Sequence, residues 1–193
     1  MCIRRKKMKE EFEKIISFIE AIEKLKKIDR TAFTSEGIIE TTAEHTWRLL
    51  VLVDLYSSYF SHLNKMRIIE IALIHDLSEA ITGDISAKKV YNKKEKEFRE
   101  LEAFIELTDI LPSKFSDKYQ SLFMEYQEGI SEEAKFVKAL DKVETIIQHY
   151  QGKNPKDFDY TFNLSYGKEY FDNKKLKEIR KIIDKKTLDK IKD

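Results

Sequence analysis

Residues 68–84 read IIEIALIHDLSEAITGD, and the rest of the chain is interpreted outward from this stretch. It predicts a helix from Lys65 to Ile81, with apolar residues on almost every side, which is typical of a helix in a protein interior. Gly83 is a residue often found just past a helix end. The stretch therefore predicts a buried central helix.

Three ionisable residues stand in this apolar helix: His75, Asp76 and Glu79. An unpaired charge in a protein interior costs several kcal/mol, roughly, so buried charges are normally paired or bound to a metal ion. Glu79 shares a helix face with His75 and Asp76, at spacings of four and three residues. Imidazole and carboxylate together suit a divalent ion of borderline or hard character. For the doublet alone, the alternative is a hydrogen-bonded core histidine with Asp76 paired to a lysine.

Composition favours an all-α fold in a single domain spanning residues 1–193. The chain has only five glycines and two prolines, which indicates helices joined by short loops rather than hairpins. Lys and Arg number 36 and Asp and Glu number 35, a balance that indicates neither nucleic acid nor an anionic membrane as partner. Cys2 is the only cysteine, which excludes an intrachain disulfide. With no signal peptide and no apolar run long enough to span a bilayer, we expect a cytoplasmic protein.

Two more potential ligands lie on other predicted helices. Residues 41–44 read TTAE, a capping box that opens a helix and directs His45 into the core from its first turn. Asp141 lies at the edge of the apolar side of a later helix. Each has an ordinary alternative: His45 as a satisfied core histidine, and Asp141 in a surface ion pair with Lys138 or Lys142.

The remaining segments are assigned more coarsely. Residues 28–37 are predicted to form a loop, and a Lys-rich helix is predicted to close the chain. His62 and His149 are interpreted as ordinary surface or helix-end residues.

The residues that carry a family resemblance surround these candidate ligands. They are AEH at 43–45, the stretch 72–84, FVKALDKVE at 136–144 and LKKIDRT at 25–31. Together they resemble the HD-domain metal-dependent phosphohydrolases, and within them the 5′-deoxynucleotidase branch. The resemblance covers about Leu25 to Tyr150, which leaves residues 151–193 as a C-terminal helical extension.

The resemblance implies a metal centre and two catalytic carboxylates. One divalent ion, cobalt, manganese or similar, would be held by His45, His75, Asp76 and Asp141. Glu79 would orient or deprotonate the attacking water, and Asp84 would be the general acid for the leaving 5′ oxygen.

The resemblance also implies a substrate, a set of contacts and a homodimer. The substrate would be a nucleoside 5′-monophosphate, probably a 2′-deoxynucleotide, with Arg30 holding its phosphate. The implied substrate-binding positions are Arg30, Thr31, Asp84, Ile85, Ser86, Ala87 and Lys88. The chain departs from some members of the branch at Thr31, where they have an aromatic residue.

Two alternative functions use the same ligand set. One is hydrolysis of nucleoside triphosphates or alarmones, although those families usually bring further basic segments or domains. The other is a non-catalytic, metal-binding signalling domain, which would need neither Glu79 nor Asp84.

Overall fold

The computed structural model describes residues 2–85 and 92–192, with the side chains of residues 2–4 outside the description. Over these residues the chain forms eight α-helices. They are α1 (Cys2–Ala21), α2 (Thr42–Ser57), α3 (Lys65–Ile74), α4 (Glu79–Thr82), α5 (Lys93–Thr108), α6 (Ser113–Glu128), α7 (Glu132–Gln151) and α8 (Lys174–Lys192). Short 3-10 helices cover Ile22–Lys27, Thr161–Leu164 and Lys168–Tyr170. The prediction of an all-α fold is confirmed.

Helix α7 occupies the centre of this arrangement. It packs against α2, α3, α6 and α8, and most of its residues are buried. Its apolar contribution to the core comprises Phe136, Val137, Ala139, Leu140, Val143 and Ile146. The opposing side chains from α2 and α3 are Leu49, Val53, Ile68, Ile71, Ala72 and Ile74. Because α7 is buried on several sides, the polar residues among its apolar ones also lie in the interior.

The central helix predicted from Lys65 to Ile81 is wrong as a single helix. Helix α3 ends at Ile74, and α4 begins only at Glu79. Between them the backbone forms tight turns, in which the N–H groups of Leu77 and Glu79 each donate to the carbonyl oxygen three residues earlier. Apolar periodicity does not distinguish these tight turns from an α-helix, since the backbone stays in the helical region and remains buried. The His-Asp doublet therefore lies at an interruption between two helices.

A β-hairpin replaces the loop predicted for residues 28–37. Strand β1 (Asp29–Phe33) pairs antiparallel with β2 (Ile39–Thr41), and Gly37 adopts a left-handed φ of 83° in the turn. The hairpin was missed because its strands are short and Ala32 is the only fully buried apolar residue in them. It is a small addition to a helical domain, but it carries Arg30.

The predicted capping box at the start of α2 is confirmed. The Glu44 backbone N–H donates to Thr41 Oγ1 at 3.3 Å, and the Thr41 N–H donates to Glu44 Oε2 at 2.7 Å. This cap fixes the first turn of α2, in which His45 lies.

Within the described residues, no helix combines the length and apolar character needed to cross a membrane.

The end of α7 packs closely against the hairpin at Gly152. A Cβ atom at this position would lie 2.1 Å from the Phe33 carbonyl oxygen, which also accepts a hydrogen bond from Gln148 Nε2 at 2.5 Å. The hairpin and α7 can approach this closely only because residue 152 has no side chain.

We expect Gly152→Ala to destabilise the protein by about 1–3 kcal/mol, because the new methyl group forces the hairpin away from α7. Urea denaturation measures the change. Lys153→Ala, at the exposed neighbouring position, is the control and should stay within about 0.5 kcal/mol of wild type. Equal stability of Gly152→Ala and wild type would contradict the close packing of the hairpin against α7.

Candidate metal centre and active site

One face of α7 forms the floor of a cavity of about 660 Å³. The floor residues follow helical spacing and are Lys138, Asp141, Lys142, Thr145 and His149. The walls come from β1, from the turn between α3 and α4, from α5 and α6, and from the segment after α7. The cavity is therefore assembled from segments spread between Arg30 and Tyr166.

Three of the four predicted metal ligands meet at one point at the edge of this cavity, which His75 and Asp76 line and the fully buried His45 does not. Ligand atoms of His45, His75 and Asp76 all lie within 4.8 Å of one another. Asp76 Oδ2 is 3.1 Å from His75 Nε2 and 3.7 Å from His45 Nε2. Two atoms that each lie about 2.1 Å from one ion are separated by at most about 4.2 Å, so these distances are compatible with a shared ion.

Asp141 approaches the same point from α7. Its Oδ1 atom is 3.3 Å from His45 Nε2, while its Oδ2 atom is 2.8 Å from Lys142 Nζ and accepts from Tyr126 Oη at 3.3 Å. The ion pair with Lys142, the ordinary alternative for Asp141, is thus present together with the approach to His45. Lys142 and the histidines keep the pKa of Asp141 well below its usual range although burial opposes this.

The ring nitrogens of both histidines suit a metal ion. His75 Nδ1 donates to the Ala72 carbonyl oxygen at 2.8 Å, and His45 Nδ1 contacts the Glu144 carboxylate. Both Nε2 atoms are buried and make no hydrogen bond. A buried nitrogen without a hydrogen bond is costly unless something occupies its lone pair. Two imidazole nitrogens with two carboxylates fit a divalent ion, and the opposite ring nitrogens are held as they are in metal-binding histidines.

A second group of potential ligands lies behind His45, away from the cavity. It consists of Glu40, His45 and Glu144, all buried. Here the carboxylates already have cationic partners: Glu40 Oε2 is 3.3 Å from Arg30 Nε, and Glu144 Oε1 is 3.3 Å from Arg48 Nε. The arginines supply the charge that an ion would otherwise supply, so this group forms a network of ion pairs.

Glu79, predicted to be catalytic, lines the cavity with only 8% of its surface exposed. Its Oε2 atom accepts a hydrogen bond from Thr42 Oγ1 at 2.7 Å. Burial, and after it the nearby charges of Asp76 and Asp84, raise the pKa of Glu79 to about 9. In the protein without bound metal this carboxyl group is protonated at neutral pH.

Arg30 is held by all three nitrogens of its guanidinium group. Nε faces Glu40, Nη1 is 3.6 Å from Asp76 Oδ2, and Nη2 donates to Thr145 Oγ1 at 3.3 Å. Arg30 also lines the cavity. A guanidinium held in this way presents its remaining N–H groups to the cavity in a fixed orientation.

The other predicted substrate positions divide into two sets. Thr31, Asp84 and Ile85 line the cavity, and burial raises the pKa of Asp84 above its usual value. Ser86, Ala87 and Lys88 lie outside the described residues.

Sequence reasoning missed part of the cavity wall. His149, interpreted as an ordinary residue, is only 5% exposed and lines the cavity, where Nδ1 pairs with Asn163 Oδ1 at 2.7 Å. The segment that follows α7 contributes Pro155, Asp157, Phe158, Asp159, Phe162 and Tyr166. The spacing of His149, eight residues after Asp141, places it on the same helix face and was the available signal.

Known proteins with similar sequences cover most of this chain. A model of the HD domain family matches residues 22–180. The chain is 36% identical to the 5′-deoxynucleotidase HDDC2 of Mus musculus over 136 residues, covering 69% of this chain and 67% of that protein. It is 35% identical to the 5′-deoxynucleotidase hdd1 of Schizosaccharomyces pombe over 143 residues, covering 71% of each. The match to the HDDC2 protein of Bos taurus, at 35% identity, spans 65% of that protein.

Solved structures show the same fold. A predicted metal-dependent phosphohydrolase from Magnetospirillum magnetotacticum aligns with a TM-score of 0.78 at 24% identity, over 93% of this chain and 94% of that one. A conserved hypothetical protein from Pyrococcus furiosus aligns with a TM-score of 0.62 at 29% identity, over 88% and 99% of the two chains.

The raised pKa of Glu79 predicts how pH affects the stability of the metal-free protein. Between the unfolded pKa near 4.5 and the folded pKa of about 9, the folded state holds a proton that the unfolded state has released, so stability falls as pH rises. Glu79→Gln removes this penalty. At pH 8 we expect it to stabilise the chelator-treated protein by at least about 1 kcal/mol, with a smaller difference near pH 5.

Denaturant unfolding at the two pH values measures this difference. Glu125→Gln is the matched control, because Glu125 pairs with Arg67 at 2.5 Å and its pKa is lowered. It should destabilise at pH 8. If Glu79→Gln also destabilises the metal-free protein at pH 8, the interpretation of Glu79 is wrong.

Proposed function

Because this chain belongs to the HD domain family, we propose that it is a metal-dependent phosphohydrolase that converts nucleoside 5′-monophosphates, with 2′-deoxy forms favoured, to nucleoside and phosphate. The observation that carries the proposal is the convergence of His45, His75, Asp76 and Asp141 at the edge of one cavity, beside Arg30. The relatives named as 5′-deoxynucleotidases support this substrate class.

The metal ion would be held by these four ligands. When bound, it supplies positive charge that polarises the phosphoryl group and acidifies water. We propose cobalt, manganese or a similar divalent ion, which the mixed nitrogen and oxygen ligand set suits.

The two carboxyl groups near the ligands have distinct proposed roles. Glu79 would orient the attacking water and take its proton, since the charge of a bound divalent ion favours the carboxylate form of Glu79 over the protonated form of the metal-free protein. Asp84, whose pKa burial also raises, gives a proton to the leaving 5′ oxygen. Arg30 holds the phosphate by charge-assisted hydrogen bonds. Ser86, Ala87 and Lys88 remain part of the proposed substrate site.

The size of the cavity supports a nucleotide rather than a bare phosphate. A volume of about 660 Å³ is within the range of cofactor-sized sites. From Asp141, the floor extends along α7 to Thr145 beside Arg30 and then to His149, whose ring lies 5.0 Å from that of Phe158. Eight residues of α-helix cover about 12 Å, which is comparable to the length of a nucleotide. We place the nucleoside towards this aromatic end.

We also propose that the protein is a cytoplasmic homodimer. Exposed apolar residues form a stripe on α1 (Met8, Phe12, Ile16 and Ile19) and another along α2 (Trp47, Val51 and Leu55). Spacings of three and four residues put each set on one helix face. Contiguous apolar surface of this kind is typical of an interface, and a second copy of the chain offers a matching apolar surface. A single cysteine agrees with a reducing compartment.

The proposed reaction predicts release of inorganic phosphate from deoxynucleoside 5′-monophosphates by the cobalt- or manganese-loaded protein. Asp141→Ala should lower metal content and phosphate release together, because it removes one ligand. Asp117→Ala, on the exposed face of α6, is the control and should retain both. Deoxyribose 5-phosphate, which lacks the base, should be a poorer substrate than the nucleotides.

Activity on nucleoside triphosphates or alarmones with none on monophosphates would contradict the substrate class and leave the metal-dependent hydrolase in place. Loaded protein that releases phosphate from neither class would instead favour a non-catalytic signalling domain.

The dimer proposal predicts that Leu55→Glu gives a monomer, because a charge in the apolar interface is costly to bury. Light scattering after size exclusion measures the mass. Ile130→Glu is the matched control, since Ile130 is 74% exposed but lies outside both stripes. A monomeric wild type, or equal dissociation by both variants, would refute the assignment.

A further inference from the structure

Two buried carboxylates lie behind the proposed metal centre and do not line the cavity. Glu40 is 2% exposed and Glu144 is fully buried. Together with a ring nitrogen of His45, their oxygens form a group within 4.8 Å. Burial of two carboxylates so close together is costly, so their retention needs a reason.

Glu144 controls the orientation of His45. Its Oε2 atom contacts His45 Nδ1, while Oε1 is 3.3 Å from Arg48 Nε. A carboxylate at Nδ1 keeps a proton on that nitrogen and directs the other nitrogen, Nε2, towards Asp76 and Asp141. His45 has no exposed surface, so its ring cannot rotate outward into solvent.

Glu40 controls the orientation of Arg30 in a similar way. Its Oε2 atom is 3.3 Å from Arg30 Nε, on the side of the guanidinium group away from the cavity. Thr145 Oγ1 and Asp76 take the two terminal nitrogens at 3.3 and 3.6 Å. Glu40 is therefore the buried anionic anchor of the arginine that faces the substrate.

The charges around the two carboxylates nearly balance. Arg30 and Arg48 face Glu40 and Glu144, with His45 between the acids. Burial, and after it the neighbouring Glu144, raise the pKa of Glu40 to about 7. One network thus connects a metal-facing histidine to a cavity-facing arginine through the protein interior.

We propose that Glu144 and Glu40 are a pair of positioning residues, in which Glu144 orients His45 for the metal ion and Glu40 orients Arg30 for the phosphate. The inference rests on the proposed function, because it assigns roles towards the metal ion and phosphate of that site. Neither residue touches the substrate, and they act on different halves of the site. Replacing each one should therefore change a different measurement.

The first test measures Mn²⁺ binding to the metal-free, full-length protein by isothermal titration calorimetry. Loss of a carboxylate that orients a metal-binding histidine typically costs about 10–100-fold in affinity, which we expect for Glu144→Ala. Glu144→Gln keeps an acceptor for Nδ1 but loses the charge, and should raise the Mn²⁺ Kd by about 3–10-fold. Glu125→Gln, which breaks a carboxylate–arginine pair outside the cavity, should leave the Kd within about twofold.

The second test separates Glu40 from Glu144. Glu40→Gln should leave the Mn²⁺ Kd within about threefold of wild type, because His45 keeps Glu144. It should raise the KM for a deoxynucleoside monophosphate and the inhibition constant of inorganic phosphate by about tenfold, with a smaller change in kcat, because the guanidinium loses its anchor. When Mn²⁺ is limiting, Glu144→Gln should instead lower kcat with a smaller change in KM, because less of the protein carries the ion.

The outcomes distinguish this inference from the proposed function. A wild type that binds no Mn²⁺ overturns the metal site itself. If wild type binds Mn²⁺ and Glu144→Gln binds it within threefold, the role of Glu144 is overturned even if Glu144→Ala fails to fold. An unchanged inhibition constant of phosphate in Glu40→Gln overturns the role of Glu40.

Discussion

Charge compensation around His45 is the constraint on which the rest of the structure depends. Three carboxylates, Asp76 from the turn after α3 and Asp141 and Glu144 from α7, approach one imidazole ring that has no exposed surface. Each carboxylate would be too costly to bury alone. Arg30, Arg48 and Lys142 supply the opposing charges, and they come from β1, α2 and α7. The helices and the hairpin must therefore pack in this arrangement for the interior charges to be satisfied.

Helix α7 joins this charged centre to the apolar core. Phe136, Leu140 and Val143 pack against the other helices, while Asp141 and Thr145 on another face reach the cavity. A rigid helix holds these positions at fixed spacing, so the proposed metal and nucleoside ends of the cavity have a defined separation. The hairpin attaches to the end of the same helix through Gly152, which places Arg30 beside Thr145. The proposed phosphate site is thereby built from segments that α7 brings together.

The cavity has two chemically different regions, which agrees with a substrate of two parts. Near Asp141 it is lined by ionisable groups, and near His149 it is lined by aromatic rings of the segment after α7. Charged groups suit a phosphate, and flat aromatic surfaces suit a nucleobase. The segment after residue 151, interpreted from sequence as an extension of the domain, therefore contributes directly to the cavity.

The sequence by itself determined the helical class, the cap of α2 and the candidates His45, His75, Asp76, Asp141 and Arg30, because apolar periodicity, capping and the family motifs are local patterns. Only the tertiary structure revealed the interruption after Ile74, the hairpin and the network of Glu40 and Glu144. Tight turns keep the periodicity of a helix, and short strands with one buried apolar residue give little alternation. The partners Arg30 and Thr145 are 115 residues apart, and His45 and Glu144 are 99 apart. Such contacts depend on how the helices pack, and no local pattern encodes them.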